Sequence, residues 1–156
     1  MKVQLIRSTP DPDMMGAFAA SECYNSTPSD AVLRACIKSG HTSVLEHITF
    51  TFEVSGISRV LSHQLVRHRI ASYSQLSQRY TVNEGQVVIP PSIASNVFAL
   101  TEYATVMEAI DKAYENLTFM GIPKEDARYV LSNATETKLV VTMNARALLN
   151  FFSLRC

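Results

Sequence analysis

The sequence predicts a single α+β domain in which a mixed or antiparallel β-sheet is flanked by helices. With 156 residues, the chain is long enough for one domain with a sizeable core. Segments with alternating apolar residues, typical of strands, are interspersed with segments whose apolar residues recur at three and four positions, typical of helices. The five glycines cannot form the G-x-G-x-x-G fingerprint or a P-loop, so the pattern contains no Rossmann motif.

The N-terminal part of the chain is predicted to contain a strand, a loop and a helix. Apolar residues at positions 3, 5 and 6 predict a short opening strand. The segment from Ser8 to Asp13 contains two prolines and is predicted to be a loop. Ser29 is a suitable N-cap for a first helix over "DAVLRACIKS", and Gly40 is suitably placed to end that helix.

The middle of the chain contains the clearest strand and the longest helix. Apolar and polar residues alternate in "HITFTFEV", residues 47–54, which predicts a strand with one buried face. After Gly56, apolar residues at 57, 60, 61 and 65 predict an amphipathic helix that leads into a basic run. A short strand is predicted at 87–89, and a long helix is predicted from Val97 to near Gly121.

The C-terminal part is predicted to add a helix, a strand and a final helix. Pro123 can begin a helix over "PKEDARYVLS", and "TKLVVTMN" has the alternation of a second strand. In the final helix, "NARALLNFFSLRC", a stripe of Arg146, Asn150 and Ser153 faces away from an apolar side. A solvated face is one interpretation of this stripe, and a ligand-binding face is the other.

Composition and charge exclude several classes of protein. Lysine plus arginine and aspartate plus glutamate both number 14, so no overall positive charge favours nucleic acid or an anionic membrane. No stretch of about 18 apolar residues and no signal peptide is visible in the sequence. The three cysteines lack a C-x-x-C pair, which indicates a reduced, cytoplasmic protein. No metal site is predicted, because His41, Glu46 and His47 do not have zinc-ligand spacing.

The run "RHRIASYSQLSQRY", residues 67–80, carries three arginines and no acid. Guanidinium groups match phosphate oxygens, so this run predicts a site for a phosphate or pyrophosphate. Its serines and glutamines favour an irregular loop lined by backbone N–H groups. The alternative is that each arginine pairs with a surface acid such as Glu84, and this alternative weakens for the set because the run itself contains no acid.

Four segments of the chain resemble the flavin-dependent thymidylate synthase family, in the family's order. The most specific is R-H-R followed by seven residues and a serine, Arg67 to Ser77. The segments are "SGHTSVLEHITFTF", "RHRIASYSQLSQRY", "ARYVLSNATETKLVVTMNAR" and "NFFSLR". The resemblance therefore covers nearly the whole chain.

This resemblance implies an enzyme of thymidylate biosynthesis. The implied reaction is the reductive methylation of dUMP to dTMP, with methylenetetrahydrofolate as carbon donor, FAD as redox cofactor and NADPH as reductant. The implied assembly is a homotetramer with its sites at subunit interfaces. No covalent enzyme nucleophile is implied, and Ser77 is then a ligand of the nucleotide.

The resemblance also implies which residues contact the ligands. The implied FAD contacts are His41, Ser43, Glu46, Arg67, His68, Arg69, Gln75, Asn144, Arg146 and Asn150. The implied dUMP contacts are Gln64, Arg67, Gln75, Leu76, Ser77, Gln78, Arg79, Arg128 and Arg155. Among these residues Arg155 is implied to be catalytic, because it favours the ionised pyrimidine by electrostatics while keeping its own proton.

Family chains usually continue through further helices after the "LR" that precedes Cys156. The sequence is therefore expected to represent the synthase domain without the family's C-terminal helical segment. This expectation leaves a second hypothesis open, a flavin- and nucleotide-binding protein with little or no turnover. A third hypothesis, a nucleic-acid-binding module that uses the basic run, is disfavoured by the zero net charge.

Overall fold

The computed structural model describes residues 1–82 and 85–156 and shows an α+β architecture. Glu84, the surface acid considered as an arginine partner, lies outside the described residues. The strands are β1 (Lys2–Ser8), β2 (Thr49–Ser58), β3 (Ala71–Gln75) and β4 (Glu136–Asn144). The α-helices are α1 (Pro12–Tyr24), α2 (Asp30–Lys38), α3 (Arg59–Leu65), α4 (Pro91–Ala94), α5 (Val97–Phe119), α6 (Lys124–Ala127) and α7 (Ala145–Arg155). Two 3-10 helices span Thr42–His47 and Arg128–Val130.

The strands form one antiparallel sheet in the order β1-β2-β4-β3. In agreement with antiparallel pairing, the end of one strand lies beside the start of the next. The N–H of Thr9, just after β1, donates to the carbonyl of Thr49 at the start of β2 at 2.9 Å, and the hydroxyls of Thr51 in β2 and Thr142 near the end of β4 are 2.9 Å apart. Two strands continue directly into helices, since β2 is followed at once by α3 and β4 by α7. The antiparallel alternative of the predicted sheet is confirmed.

The contacts of the chain divide it into two compact units. The first unit contains Met1, Ser55–Leu65 and Gln75–Lys138. The second unit contains Lys2–Val54, Val66–Ser74 and Leu139–Cys156. The division falls within β2, β3 and β4, so each of these strands contributes residues to both units.

The second unit has a core of small and aliphatic residues. α1 contributes Ala17 and Ala20 to it, α2 contributes Leu33 and Cys36, and the 3-10 helix and Ile48, the residue before β2, complete it. A Cβ atom on Gly16 would lie 3.1 Å from side-chain atoms of both Leu33 and Ile48, so the absence of a side chain lets α1 approach closely.

The first unit is organised by the long helix α5. Asn96 caps it, since its side-chain oxygen accepts hydrogen bonds from the backbone N–H groups of Phe98 and Ala99. Tyr114 is buried, and the hydroxyl of Tyr103 donates to the carbonyl of Val88 at 3.1 Å. None of the helices in the described ranges combines the length and apolar character needed to cross a bilayer.

Most predicted elements are confirmed, three outside the basic run differ, and α1 and α4 were not predicted. The predicted loop at 8–13 is cut short because α1 begins at Pro12; the apolar period of this helix is weak because its buried residues are glycine, alanine and serine. The strand predicted at 87–89 is reduced to a single bridge between Val87 and Thr135. The helix predicted after Pro123 ends at Ala127 and continues only as a 3-10 turn.

Candidate active site

The basic run begins two residues after α3 and contains a strand. Residues 71–75 form β3, which corrects the predicted irregular loop. The side chain of Tyr73 is half-buried, whereas Ser72 and Ser74 are exposed, so alternate residues lie on opposite faces of the strand. This strand was not predicted from the sequence, because its serines leave no clear alternation of large apolar and polar residues. The turn that follows β3 is irregular, and there the hydroxyl oxygen of Ser77 accepts a hydrogen bond from the N–H of Arg79 at 3.2 Å.

A buried hydrogen-bond network fixes the orientation of Gln75 in the first unit. The hydroxyl of Ser62 donates to the carbonyl of Arg59 at 3.0 Å, so it accepts from the Gln75 amide nitrogen at 2.8 Å. The same nitrogen lies 3.2 Å from the hydroxyl oxygen of Thr137. With both amide hydrogens engaged, Gln75 has only its carbonyl oxygen left for a ligand.

Glu125 brings two of the predicted phosphate-binding arginines together. Its carboxylate accepts a hydrogen bond from Arg79 at 3.0 Å, and its backbone carbonyl accepts one from Nε of Arg128 at 3.0 Å. The hydrogen bond to Glu125 raises the pKa of Arg79. Because both members of the ion pair are about half exposed, at 50% and 51%, solvent screens their attraction and the pair adds little to stability. Its main effect is on the orientation of Arg79.

Arg59 is a further candidate that sequence reasoning did not select. It lines a cavity of about 320 Å³ in the first unit, together with Leu76, Gln78 and Lys138. One terminal nitrogen of Arg59 donates to the carbonyl of Leu76 at 2.7 Å, and its Nε is buried without a hydrogen-bond partner among the described residues. Burial and the nearby charge of Arg128 lower the pKa of Arg59. The one feature of the sequence that could have indicated a role for Arg59 is its position at the start of a helix. That helix was predicted from its apolar period alone.

In the second unit, the final helix packs against the 3-10 helix at Thr42–His47. An ion pair joins them, since Arg146 donates to the Glu46 carboxylate at 2.6 Å. Asn144 caps α7, because its side-chain oxygen accepts from the N–H of Ala147 at 2.8 Å. Three predicted flavin contacts, from segments about one hundred residues apart, therefore come together here.

His41 and Ser43 are both exposed at the edge of this region. The ring of His41 shares a hydrogen bond of 2.8 Å, through Nδ1, with the hydroxyl of Tyr24. Tyr24 was not selected from the sequence because it belongs to the missed helix α1. Its contact restricts how the His41 ring can turn.

His68 contacts the predicted catalytic arginine. Nε of Arg155 donates to Nε2 of His68 at 2.9 Å, and the ring of Phe151 lies edge-on to the His68 ring with the centroids 4.8 Å apart. The hydroxyl of Tyr73 donates to the backbone carbonyl of His68 at 3.0 Å. Burial raises the pKa of Tyr73, while the charge of Arg69 acts in the opposite direction.

Other predicted site residues are exposed and make no recorded side-chain hydrogen bond within residues 1–82 and 85–156. They are Gln64, Arg67, Arg69 and Asn150. Asn150 and Arg146 lie on the polar stripe of α7, as predicted, and the apolar side of that helix is only partly covered, with Leu149, Phe152 and Leu154 exposed.

The fold and these arginine groups define an α+β protein with sites suited to anionic ligands. The family model described as thymidylate synthase complementing protein matches residues 4–156, and the chain belongs to this family. The resemblance inferred from the sequence is thereby confirmed.

Relatives named flavin-dependent thymidylate synthase match the whole chain. The protein of Geobacter sulfurreducens is 48% identical over 171 aligned positions, gaps included. The match covers 100% of this chain and 74% of the relative. The protein of Clostridium tetani is 40% identical over 185 aligned positions, gaps included. This match also covers 100% of this chain and 74% of the relative.

Two solved structures share the fold. The UMP/dUMP methylase PolB from Streptomyces cacaoi, bound with 5-Br dUMP, has a TM-score of 0.86 and 26% identity, covering 99% of this chain and 77% of that chain. Thymidylate Synthase X from Helicobacter pylori, with FAD and dUMP, has a TM-score of 0.76 and 28% identity, covering 99% and 84%.

The Gln75 network leads to a prediction about stability. Ser62 is fully buried, so Ser62→Ala leaves one amide hydrogen of Gln75 without its acceptor and should lower the free energy of unfolding by about 1–3 kcal/mol. Ser74→Ala, on the exposed face of β3, is the matched control and should change it by less than about 0.5 kcal/mol. Urea unfolding of the three proteins measures this, and equal losses in both variants would contradict the network.

Proposed function

We propose that this protein is a FAD-dependent methyltransferase that converts dUMP to dTMP, with methylenetetrahydrofolate as carbon donor and NADPH as reductant. The observation that carries the proposal is the match over the whole chain to relatives named flavin-dependent thymidylate synthase. The shared fold with the Helicobacter pylori protein, solved with FAD and dUMP, supports it. We also propose a cytoplasmic location, which is consistent with Cys23, Cys36 and Cys156 being free thiols.

The polar groups of the second unit suit a flavin dinucleotide. Arg67 and Arg69 are exposed cations that offer planar N–H forks to a pyrophosphate. The Asn144 oxygen accepts the capping hydrogen bond of α7, so both amide hydrogens of this residue remain available to a ligand. The FAD contacts proposed within this unit are His41, Ser43, Glu46, Arg67, His68, Arg69, Asn144, Arg146 and Asn150. Gln75 is proposed as a FAD contact from the family resemblance alone. When bound, FAD supplies the redox chemistry of the reaction.

The first unit contributes most of the proposed dUMP site. Arg79 and Arg128 carry the charges that a phosphomonoester needs, and Glu125 fixes their positions. Arg59 adds a third positive charge in the same unit. The dUMP contacts proposed within this unit are Gln64, Gln75, Leu76, Ser77, Gln78, Arg79 and Arg128. Arg67 and Arg155 are proposed as dUMP contacts from the family resemblance alone.

In the proposed mechanism, the chain orients the ligands and stabilises charge without a covalent nucleophile. The Ser77 hydroxyl accepts a hydrogen bond from Arg79, and among the described residues no histidine or carboxylate is recorded within hydrogen-bond distance of it. Without a neighbouring base, a serine is a weak nucleophile and a good hydrogen-bonding ligand. The guanidinium of Arg155 carries a positive charge, which stabilises the anionic form of a pyrimidine.

We further propose a homotetramer. The edge strand β1 exposes Val3, Leu5 and Ile6 at 57%, 52% and 53%, although edge strands are normally protected from association. Native mass spectrometry should therefore detect four chains of 17.3 kDa. Leu5→Lys should shift the sample to smaller species, whereas an active monomer would contradict the proposal.

The proposed activity is tested directly by assay. The purified protein should show flavin absorbance, oxidise NADPH only when dUMP is present, and form dTMP from methylenetetrahydrofolate. Product formation is followed by chromatography, with dCMP as the control nucleotide. If the protein binds FAD and dUMP but forms no dTMP, it is a flavin- and nucleotide-binding protein and not an enzyme. If it binds neither ligand, both the enzyme and the binding-protein hypotheses are wrong.

Arg128 belongs to the first unit and Arg146 to the second, so substitutions of the two residues should affect the binding of different ligands. Arg128→Ala removes a charge-assisted contact to phosphate and should raise KM for dUMP about tenfold to a hundredfold, with FAD affinity unchanged. Arg146→Ala should instead weaken FAD binding, measured by flavin fluorescence. Arg34→Ala, an exposed residue of α2, is the control and should change neither. The assignment is wrong if both variants weaken the same ligand.

A further inference from the structure

The contact between Arg155 and His68 has a defined direction. Arginine has five N–H donors and no acceptor, so Nε of Arg155 donates and Nε2 of His68 accepts across the 2.9 Å contact. An imidazole that accepts at Nε2 is neutral and carries its proton on Nδ1. The contact therefore depends on the lone pair of Nε2 of His68.

His68 is itself held in place from two sides. Phe151 precedes Arg155 by four residues on α7, so both side chains lie on one face of the helix, and His68 contacts them together. The two rings are inclined at 77°, an edge-to-face arrangement. On the other side, Tyr73 of β3 donates its hydroxyl to the His68 carbonyl at 3.0 Å.

The consequence for Arg155 is a fixed guanidinium plane. Arg155 is exposed on the last turn of α7, where a long side chain samples many rotamers. Within the described part of the chain, the bond to His68 is the one hydrogen bond recorded for its side chain. That bond uses the Nε–H and leaves the four terminal N–H groups available to a ligand.

We propose that His68 is a positioning residue, which orients Arg155 for catalysis through the hydrogen bond at Nε2. The inference rests on the proposed function, in which Arg155 is the catalytic residue. It differs from the flavin contact implied for His68 by the family resemblance, because here the imidazole acts on an arginine of its own chain. Pre-orientation of a charge-stabilising group lowers the barrier to reaction without strengthening ground-state binding.

Two substitutions of His68 separate the acceptor from the ring. His68→Gln can place an amide oxygen near the position of Nε2 and loses the ring, whereas His68→Phe keeps a ring against Phe151 and loses the acceptor. Both variants lose the imidazole that is a proposed flavin contact, so kcat is measured per bound FAD. On that basis His68→Phe should lower kcat about tenfold to a hundredfold with KM for dUMP nearly unchanged, and His68→Gln should lose much less. The opposite order, or an equal kcat per bound FAD in the two variants, would overturn the proposal.

A double variant shows whether the effect passes through Arg155. Lysine keeps the positive charge and lacks the planar N–H fork, so Arg155→Lys removes the contact that His68 acts on. Adding His68→Phe to Arg155→Lys should then lower kcat by less than about threefold, because two residues that act through one contact are not additive. A full multiplicative loss would assign His68 a role independent of Arg155.

A spectroscopic measurement tests the contact without turnover. In arginine-labelled protein, the Nε–H signal that disappears in Arg155→Lys should exchange slowly with water in the native chain and in His68→Gln. It should exchange as fast as that of the exposed Arg34 in His68→Phe. Unchanged exchange in His68→Phe would overturn the positioning role. If the native chain forms no dTMP while this exchange pattern is found, the proposed function fails and the contact remains established.

Discussion

The pairing of β4 with β2 on one side and β3 on the other is the interaction on which the candidate site depends. Leu139, Val141 and Met143 alternate along β4 and are buried, so one face of this strand anchors it in the core. The second residue of the strand, Thr137, contacts Gln75. Its last residue, Asn144, caps the helix that bears Arg146 and Arg155. The apolar register of β4 thus positions polar groups at both ends of that strand.

Elements with a regular apolar period could be predicted from the sequence, and elements built from small or polar residues could not. "TKLVVTMN" and the long helix from Val97 were found because their periods are regular. α1 was missed because glycine, alanine and serine fill its buried positions, and β3 because serine occupies its exposed face. In both elements the information lies in size and packing, which a pattern of apolar residues does not record.

The types of residue in the site were predictable, whereas their partners were not. The arginine run can be recognised in the sequence itself. However, Arg79 contacts Glu125 at a sequence separation of 46 residues, and Arg155 contacts His68 at a separation of 87 residues. Contacts at such separation depend on the tertiary fold. Arg59 illustrates the same limit, since its importance lies in a buried and unpartnered Nε that no local pattern reveals. The described ion pairs are exposed, so they orient the side chains of the site and add little to stability.

The absence of a linker between β4 and α7, and between β2 and α3, ties the accuracy of folding to the assembly of the site. A slip of one residue in strand pairing would turn the buried face of β4 outward. It would also change the residue at which the helix begins, and each residue turns a helix by about 100°. With no loop to absorb the error, Arg155 would move away from His68. A chain in the wrong register would therefore be less stable and would lack the contact between Arg155 and His68. The sheet contacts that favour the native fold thus also favour the conformation in which the site is formed.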